Sequence, residues 1–229
     1  MSGNAEACGR TIVVGDIHGC NLALERLLEQ LDLRTPDVFI VLGDAVDRGT
    51  GSREVLETLL QVDQACQLVY ILGNHEEMLL DVLSGYQLQP WLRQGGAATL
   101  DSYGGSLSRI PDSHRDLLHR SVPYWESAET ICVHANLEPG VELGDQQPGW
   151  LRWQQLTGFE FPHPSGKLVL CGHTGQLSGL PSVCDGWVCL DTLAYSGRFL
   201  TCLDVASSIV IQSRQSGEVR KFHLDDLTS

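Results

Sequence analysis

No stretch of this sequence approaches the roughly 20 consecutive apolar residues that a membrane-crossing helix needs, so no membrane partner is expected. The amino terminus, MSGNAEACGR, lacks both the basic start and the apolar core of a secretory leader, and the expected compartment is the cytoplasm. Positive charge is scarce: 15 Lys and Arg stand against 29 Asp and Glu, a net charge of −14 with His neutral. That balance opposes binding to a phosphate backbone, so nucleic acid is not an expected partner. None of the eight cysteines (Cys8, Cys20, Cys66, Cys132, Cys171, Cys184, Cys189, Cys202) forms a CxxC pair, which removes the close spacing favoured by structural zinc. Most sit in apolar runs such as TICVH and LVLCGH and are expected to be small buried hydrophobes in a reducing compartment. Repeats, linkers and low-complexity segments are absent as well. The 229 residues are therefore expected to form a single domain, with 1–9 as a lead and about 215–229 as a peripheral tail.

What is present is an alternation. TIVVGD, DVFIVLGD and QLVYILGN are strand-like, and each precedes a segment with apolar residues at helical spacing: NLALERLLEQL, SREVLETLLQV with Ser52 as N-cap, and EEMLLDVL. Strand and helix three times over implies an α/β layered fold. WLRQGGAATLDSYGG is rich in glycine and small residues, and PDSHRDLLHRSV is a helix after a Pro-Asp turn. The β-like runs ETICVHAN, KLVLCGHT, GWVCLDT, RFLTCLDV and SSIVIQS follow, bounded by turn residues.

The strand ends carry the chemistry. In open α/β sheets ligands sit beyond the carboxyl ends of the strands. Those ends deliver Asp16 and His18 (GDIHG), Asp44 and Asp47 (GDAVDRG), Asn74 and His75 (GNHEE), His134 (VHAN) and His173 (CGHT). A lone Gly-Asp is a turn and a lone strand-end histidine is an ordinary residue, but five loops bringing the same donor chemistry to one edge form a metal site. Carboxylates, imidazoles and an amide suit Mn²⁺, Fe²⁺ or Zn²⁺ without a thiolate. The set is too large for one ion. Two ions about 3.5–4 Å apart with a shared carboxylate would use it, generating a hydroxide and clamping phosphoryl oxygens. Arg48, directly after Asp47, offers a fork that matches two phosphate oxygens.

GDIHG, GDAVDRG and GNHE, in that order and followed by the later H and GH, make the chain resemble the phosphoprotein phosphatase branch of the metallophosphoesterases. The likeness is greatest to small bacterial and phage serine/threonine phosphatases, with symmetrical diadenosine tetraphosphatases as relatives. It runs from about Arg10 to Val205. The resemblance implies a calcineurin-like α/β fold, a central β-sandwich flanked by helices with the metal site at the carboxyl ends of strands. It also implies two divalent ions, manganese first, with iron or zinc as alternatives. Asp16 and His18 would hold one ion, Asp44 would bridge, and Asn74, His134 and His173 would hold the other. His75 would be the general acid and Asp47 its orienting partner. Strand-like backbone would point Asn74 and His75 to different sides. Arg48 corresponds to one phosphate-binding arginine, and Arg152 in WLRW to a second. Two positions depart from the pattern: Leu72 replaces an arginine before GNHE, and Leu193 replaces the glycine of Asp-Thr-Gly.

The leading expectation is a metal-dependent phosphoprotein phosphatase acting on phosphoserine and phosphothreonine, or on small phosphate esters. The alternative is a symmetrical bis(5'-nucleosyl)-tetraphosphatase; a catalytically dead binding module is disfavoured by the intact Asp47–His75 pair. A phosphoprotein site should be an open cleft. A closed slot formed by the rings between Trp150 and Phe161 would favour the dinucleotide. His114, His119, His163 and His223 are expected to be surface residues.

Overall fold

The structure, a computed structural model, describes residues 9–227; Cys8 and the rest of the expected lead up to residue 8 lie outside the described residues. The first part of the chain builds β1 (Thr11–Val14), α1 (Asn21–Leu28), β2 (Val38–Val41), α2 (Ser52–Ala65) and β3 (Gln67–Tyr70), with the three strands parallel. A helical segment follows: α3 (Asn74–Leu83), α4 (Leu88–Trp91), α5 (Ala97–Ser102) and α6 (Asp112–His119). The second sheet comes from β4 (Tyr124–Glu126), β5 (Thr130–Val133), β6 (Leu168–Cys171), β7 (Ser182–Cys184) and β8 (Trp187–Cys189), with α7 (Pro148–Trp153) between β5 and β6. The chain then returns to the first sheet as β9 (Leu200–Asp204), β10 (Ile209–Ser213) and β11 (Val219–His223). The sheet orders are β11-β10-β9-β1-β2-β3 and β4-β5-β6-β8-β7.

Strands this uniformly apolar are needed because both faces are covered. Successive side chains alternate. Ile12, Val14, Phe39 and Val41 pack under the helices, while Val13 and Ile40 face the second sheet. Registered partners continue that inner row: Leu203 opposite Val13 and Val69 opposite Ile40 on one sheet, Cys132, Leu170 and Val188 on the other. On the outer face of the second sheet, Ile131, Val133 and Val169 pack with Leu143 and with Leu151 of α7. The result is the expected two-sheet sandwich flanked by helices. The described cysteines are all free and, Cys184 apart, buried. No helix among the described residues is long and apolar enough to cross a membrane.

Several local expectations change. Ser52 does not cap α2: Gly51 is the N-cap, and the Ser52 hydroxyl instead accepts from the Asp47 amide at 3.1 Å. WLRQGGAATL is helical, with a π-turn at 92–96 where Gly95 has φ 113°. His114 is fully buried, between Tyr103 Oη (2.7 Å from Nδ1) and Glu57 (3.1 Å from Nε2). The tail supplies β11, the edge strand of the first sheet.

Candidate active site

Every parallel strand of both sheets ends at one place. β1 leads to Asp16 and His18, β2 to Asp44, Asp47 and Arg48, β3 to Asn74 and His75, β5 to His134, β6 to His173 and β8 to Asp191. The donor atoms of His18, Asp44 and His75 lie within 4.8 Å of one another, and so do those of Asp44, His134 and His173. Asp44 is common to both groups.

Hydrogen bonds fix the tautomers. His18 Nδ1 is 2.8 Å from the Val46 carbonyl, His134 Nδ1 is 2.7 Å from that of Leu42, and His173 Nε2 is 3.1 Å from that of Trp153. A carbonyl only accepts, so each of these nitrogens carries the proton and the other ring nitrogen is a bare lone pair. These lone pairs converge. His134 Nε2 is 3.2 Å from His173 Nδ1, and each is 3.1 Å from Asn74 Oδ1. His18 Nε2 is buried without a hydrogen-bond partner, 3.5 Å from Asp44 Oδ2. Burial pushes His18 down to about 3, and burial together with His134 pushes His173 down to about 4; burial lowers His134 too. All three rings are thus neutral near pH 7, the form that binds metal. A buried array of acceptors with no donor among them is costly unless a cation fills it, and nitrogen and oxygen donors of this kind fit borderline or hard divalent ions.

Asp16 stands outside both groups. Its two carboxylate oxygens each accept from the His173 amide at 3.1 Å. Burial, then Asp191 and Asp44, push its pKa well up, and burial and Asp44 raise Asp191 to about 6. Three buried carboxylates crowded together again call for positive charge.

His75 is held from both sides. Its Nδ1 donates to Asp47 Oδ2 at 2.8 Å, and its Nε2 is 3.1 Å from Arg48 Nη2. Arginine only donates, so Nε2 accepts here and the ring is neutral. Burial works against charging His75, but Asp44 and Asp47 outweigh it and the net shift is upward. The ring can gain a second proton once Arg48 leaves Nε2. Asp47 is fully buried and further fixed by Trp91 Nε1 at 2.9 Å and Thr99 Oγ1 at 2.7 Å. The expected strand-like backbone at this point is corrected: Asn74 and His75 are the first two residues of α3, and Asn74 Oδ1 and the His75 ring diverge within a helical turn.

Arg48 stacks on the Tyr195 ring, 4.7 Å to its centroid. Arg152 is mostly buried and its Nη2 donates to Glu77 at 2.6 Å, near enough to His134 to oppose that ring's protonation. Glu76, which sequence reasoning left without a role, accepts from the amides of Asp44, Ala45, Val46 and Gly73 and from the Tyr70 hydroxyl. Trp91, Thr99, Asp191 and Tyr195 were missed as well. Glu76 is the last letter of GNHE and Asp191 heads the Asp-Thr-Leu triplet, so both could have been flagged; nothing in the sequence pairs Trp91 or Thr99 with Asp47.

A cavity of about 360 Å³ is lined by Trp150, Phe159, Phe161 and Trp187, together with Asn136, two residues beyond His134, and Gln154, which follows the Trp153 whose carbonyl meets His173. Rings from the Trp150–Phe161 stretch thus line a recess, the feature that the sequence reading set against an open cleft.

The model of the calcineurin-like phosphoesterase family matches residues 9–177. A symmetrical bis(5'-nucleosyl)-tetraphosphatase from Nitrosomonas europaea is 33% identical over 145 residues, covering 60% of this chain and 48% of that protein. One from Coxiella burnetii is 34% identical over 137 residues, covering 56% of this chain and 42% of that protein. The chain therefore spans about half the length, or less, of these curated relatives. Among solved structures, a candidate diadenosine tetraphosphatase superposes with a TM-score of 0.67 at 20% identity, over 95% of this chain and 94% of the other. A protein serine/threonine phosphatase from Saccharomyces cerevisiae superposes with a TM-score of 0.64 at 15% identity, over 96% and 81%. At these identities the likeness is one of fold.

Proposed function

The chain belongs to the calcineurin-like phosphoesterase family, whose members hydrolyse phosphoesters with divalent metal ions, and we propose that it cleaves dinucleoside tetraphosphates symmetrically, as a single domain acting in the cytoplasm. The observation that carries the hydrolytic reading is the convergence of His18, His134 and His173 on Asp44, with the ring of His75, held by Asp47, completing the first group. The choice of substrate draws on the names of the relatives and on the aromatic recess. The phosphoprotein reading, placed first from sequence, has only fold-level likeness behind it.

In this reading Asp16, His18 and Asp44 hold one divalent ion and Asp44, Asn74, His134 and His173 the other, with manganese the first choice and iron or zinc the alternatives. When bound, such a pair supplies Lewis-acid polarisation and an activated water. The protein's own groups do the rest. Asp44, with His18 Nε2 at 3.5 Å from one oxygen and His134 Nε2 at 3.5 Å from the other, joins the two groups. Arg48 engages a phosphate oxygen, which takes it off His75 Nε2. His75 then carries a proton on Nε2 and delivers it to the leaving phosphate oxygen, while Asp47 stabilises the imidazolium through Nδ1. Trp91 and Thr99 keep the Asp47 carboxylate aimed. Arg152, braced by Glu77, meets a phosphate further along the bridge.

The deciding experiment is a panel assay of the Mn²⁺-loaded full chain. Diadenosine tetraphosphate should show a higher kcat/KM than phosphoserine or phosphothreonine peptides. A peptide preference would return the protein to the phosphatase reading.

A further inference from the structure

We propose that the aromatic recess seats one nucleobase of the dinucleotide, with Glu138 accepting from the base's exocyclic amine; this rests on the substrate reading above. The recess holds about 360 Å³, within the size range of small-ligand sites. Phe159 and Phe161 are 85% and 84% exposed, so two large rings stand at its mouth where core filling does not explain them. Flat apolar faces of this kind are what a heteroaromatic ring stacks on.

The strap that carries these rings is fixed. Trp187 Nε1, in the cavity wall, donates to the Phe161 carbonyl at 3.0 Å. Glu160 accepts from the Gly158 amide at 3.0 Å and the Thr157 hydroxyl at 2.9 Å. The Leu156 amide donates to Thr174 Oγ1 at 2.9 Å, tying the strap to the loop of His173. The other wall begins at Asn136, two residues beyond His134, a reach of about 7 Å along the chain. Gln154 adjoins Trp153, whose carbonyl orients His173. A base in the recess therefore has its ribose and phosphates running toward the second donor group.

Glu138 lines the same recess, half-buried, and its carboxylate makes no hydrogen bond or ion pair among the described residues. An acceptor there favours adenine, with its amino donor, over uracil, which offers carbonyls in that position.

The test uses the Mn²⁺-loaded full chain and its Phe159→Ala/Phe161→Ala double variant, whose exposed rings carry no core packing. ADP binding, measured by equilibrium dialysis, should weaken roughly 5- to 150-fold in the variant, the worth of stacking one base. The ratio of kcat/KM for diadenosine tetraphosphate to that for an aryl phosphate should fall by a similar factor. Glu138→Gln should narrow the preference for diadenosine over diuridine tetraphosphate. Wild-type protein that does not bind ADP, or a variant that binds it unchanged, overturns the proposal. The two readings separate cleanly. Dinucleotide hydrolysis untouched by the variant removes the base site and keeps the substrate. ADP binding lost in the variant without any dinucleotide hydrolysis keeps the base site and removes the substrate.

Discussion

Glu76→Gln is a near-isosteric change that isolates what one buried carboxylate does for the metal loop. Oε2 accepts from the Asp44 amide at 2.7 Å and the Gly73 amide at 3.2 Å. Oε1 accepts from the Ala45 amide at 2.8 Å, the Val46 amide at 3.2 Å and Tyr70 Oη at 3.0 Å. Glutamine has one oxygen. In the better of its two amide orientations the oxygen keeps the three Oε1 partners, and the NH₂ faces two amide donors that it cannot satisfy. Each buried donor left without an acceptor costs about 1–3 kcal/mol, so the change costs about 2–6 kcal/mol. For a domain of this size that is a drop in Tm of roughly 5–20 °C. The donors that lose most include the amide of Asp44, the residue common to both metal groups. Mn²⁺ affinity should therefore fall as well, by roughly 10- to 100-fold, as it does when a ligand's supporting partner is removed. Thermal melts and titration calorimetry read the two effects. A variant with wild-type Tm and wild-type Mn²⁺ affinity would refute the idea that Glu76 holds the Asp44 loop in place.

His75→Asn should retain two Mn²⁺ per chain while kcat falls by roughly 10²–10⁴-fold, with a smaller loss on aryl phosphates, whose leaving groups need less protonation; equal losses on alkyl and aryl esters would argue against a proton donor. Mn²⁺ at 100 times its Kd should stabilise the chain by about 2.7 kcal/mol per site in thermal melts, and Asp44→Asn should abolish most of that gain; an undiminished gain in the variant places the ions elsewhere. Burial works against ionising Asp37, but the Arg10 guanidinium at 2.6 Å and the amides of Arg10 and Arg34 outweigh it and lower its pKa. A depressed carboxyl stabilises above the unfolded value near 3.9 and loses that stabilisation as pH falls through the folded value. Asp37→Asn should thus lower Tm at pH 7 and flatten the fall of Tm below about pH 4, and an unaltered acid slope would rule the pair out as its source.

The layered α/β plan was legible because it is written in local periodicities. Continuous four-residue apolar runs such as TIVV mark strands covered on both faces, and NLALERLLEQL shows the helical spacing that packs on them. The donors were legible because each closes such a run. What was not legible depends on contacts between distant residues. Asp47 and Thr99 are 52 residues apart, and Trp91 reaches Asp47 across 44. No periodicity or spacing announces a partner at that range. The helix through WLRQGGAATL was hidden by its glycines, which lower helix propensity. Yet Gly95 and Gly96 are what let that helix lie against the site: a Cβ on Gly95 would meet Arg48 Cγ at 2.8 Å, and one on Gly96 would meet the Trp91 ring. His114 shares the buried face of α6 with Leu117 and Leu118 at helical spacing, so its burial could have been read from periodicity, whereas its partners Tyr103 and Glu57 could not.

One property of the site links its sequence signature to its chemistry. His18, Asp44, Asp47, Arg48 and His173 all have positive φ, between 46° and 70°. Left-handed backbone is uncommon for residues other than glycine and costs of order 1–3 kcal/mol each. Five such residues at the strand ends of the two sheets cannot persist unless their loops are over-determined, and they are. The amides of Ile17 and His18 both donate to the Asp44 carbonyl, Gly172 donates to that of His134, and Glu76 gathers the amides of 44–46. The glycines beside these residues permit the closeness this requires. A Cβ on Gly73 would collide with Asp44 Oδ1, one on Gly172 with Asp16 Oδ1, and one on Gly43 would lie 2.8 Å from His134 Nδ1. GD, GN and GH are therefore two halves of one device. At Asp44 and His173 the second letter carries the donor on a left-handed residue, and at Gly43, Gly73 and Gly172 the first removes a side chain that would collide with a donor of a neighbouring loop.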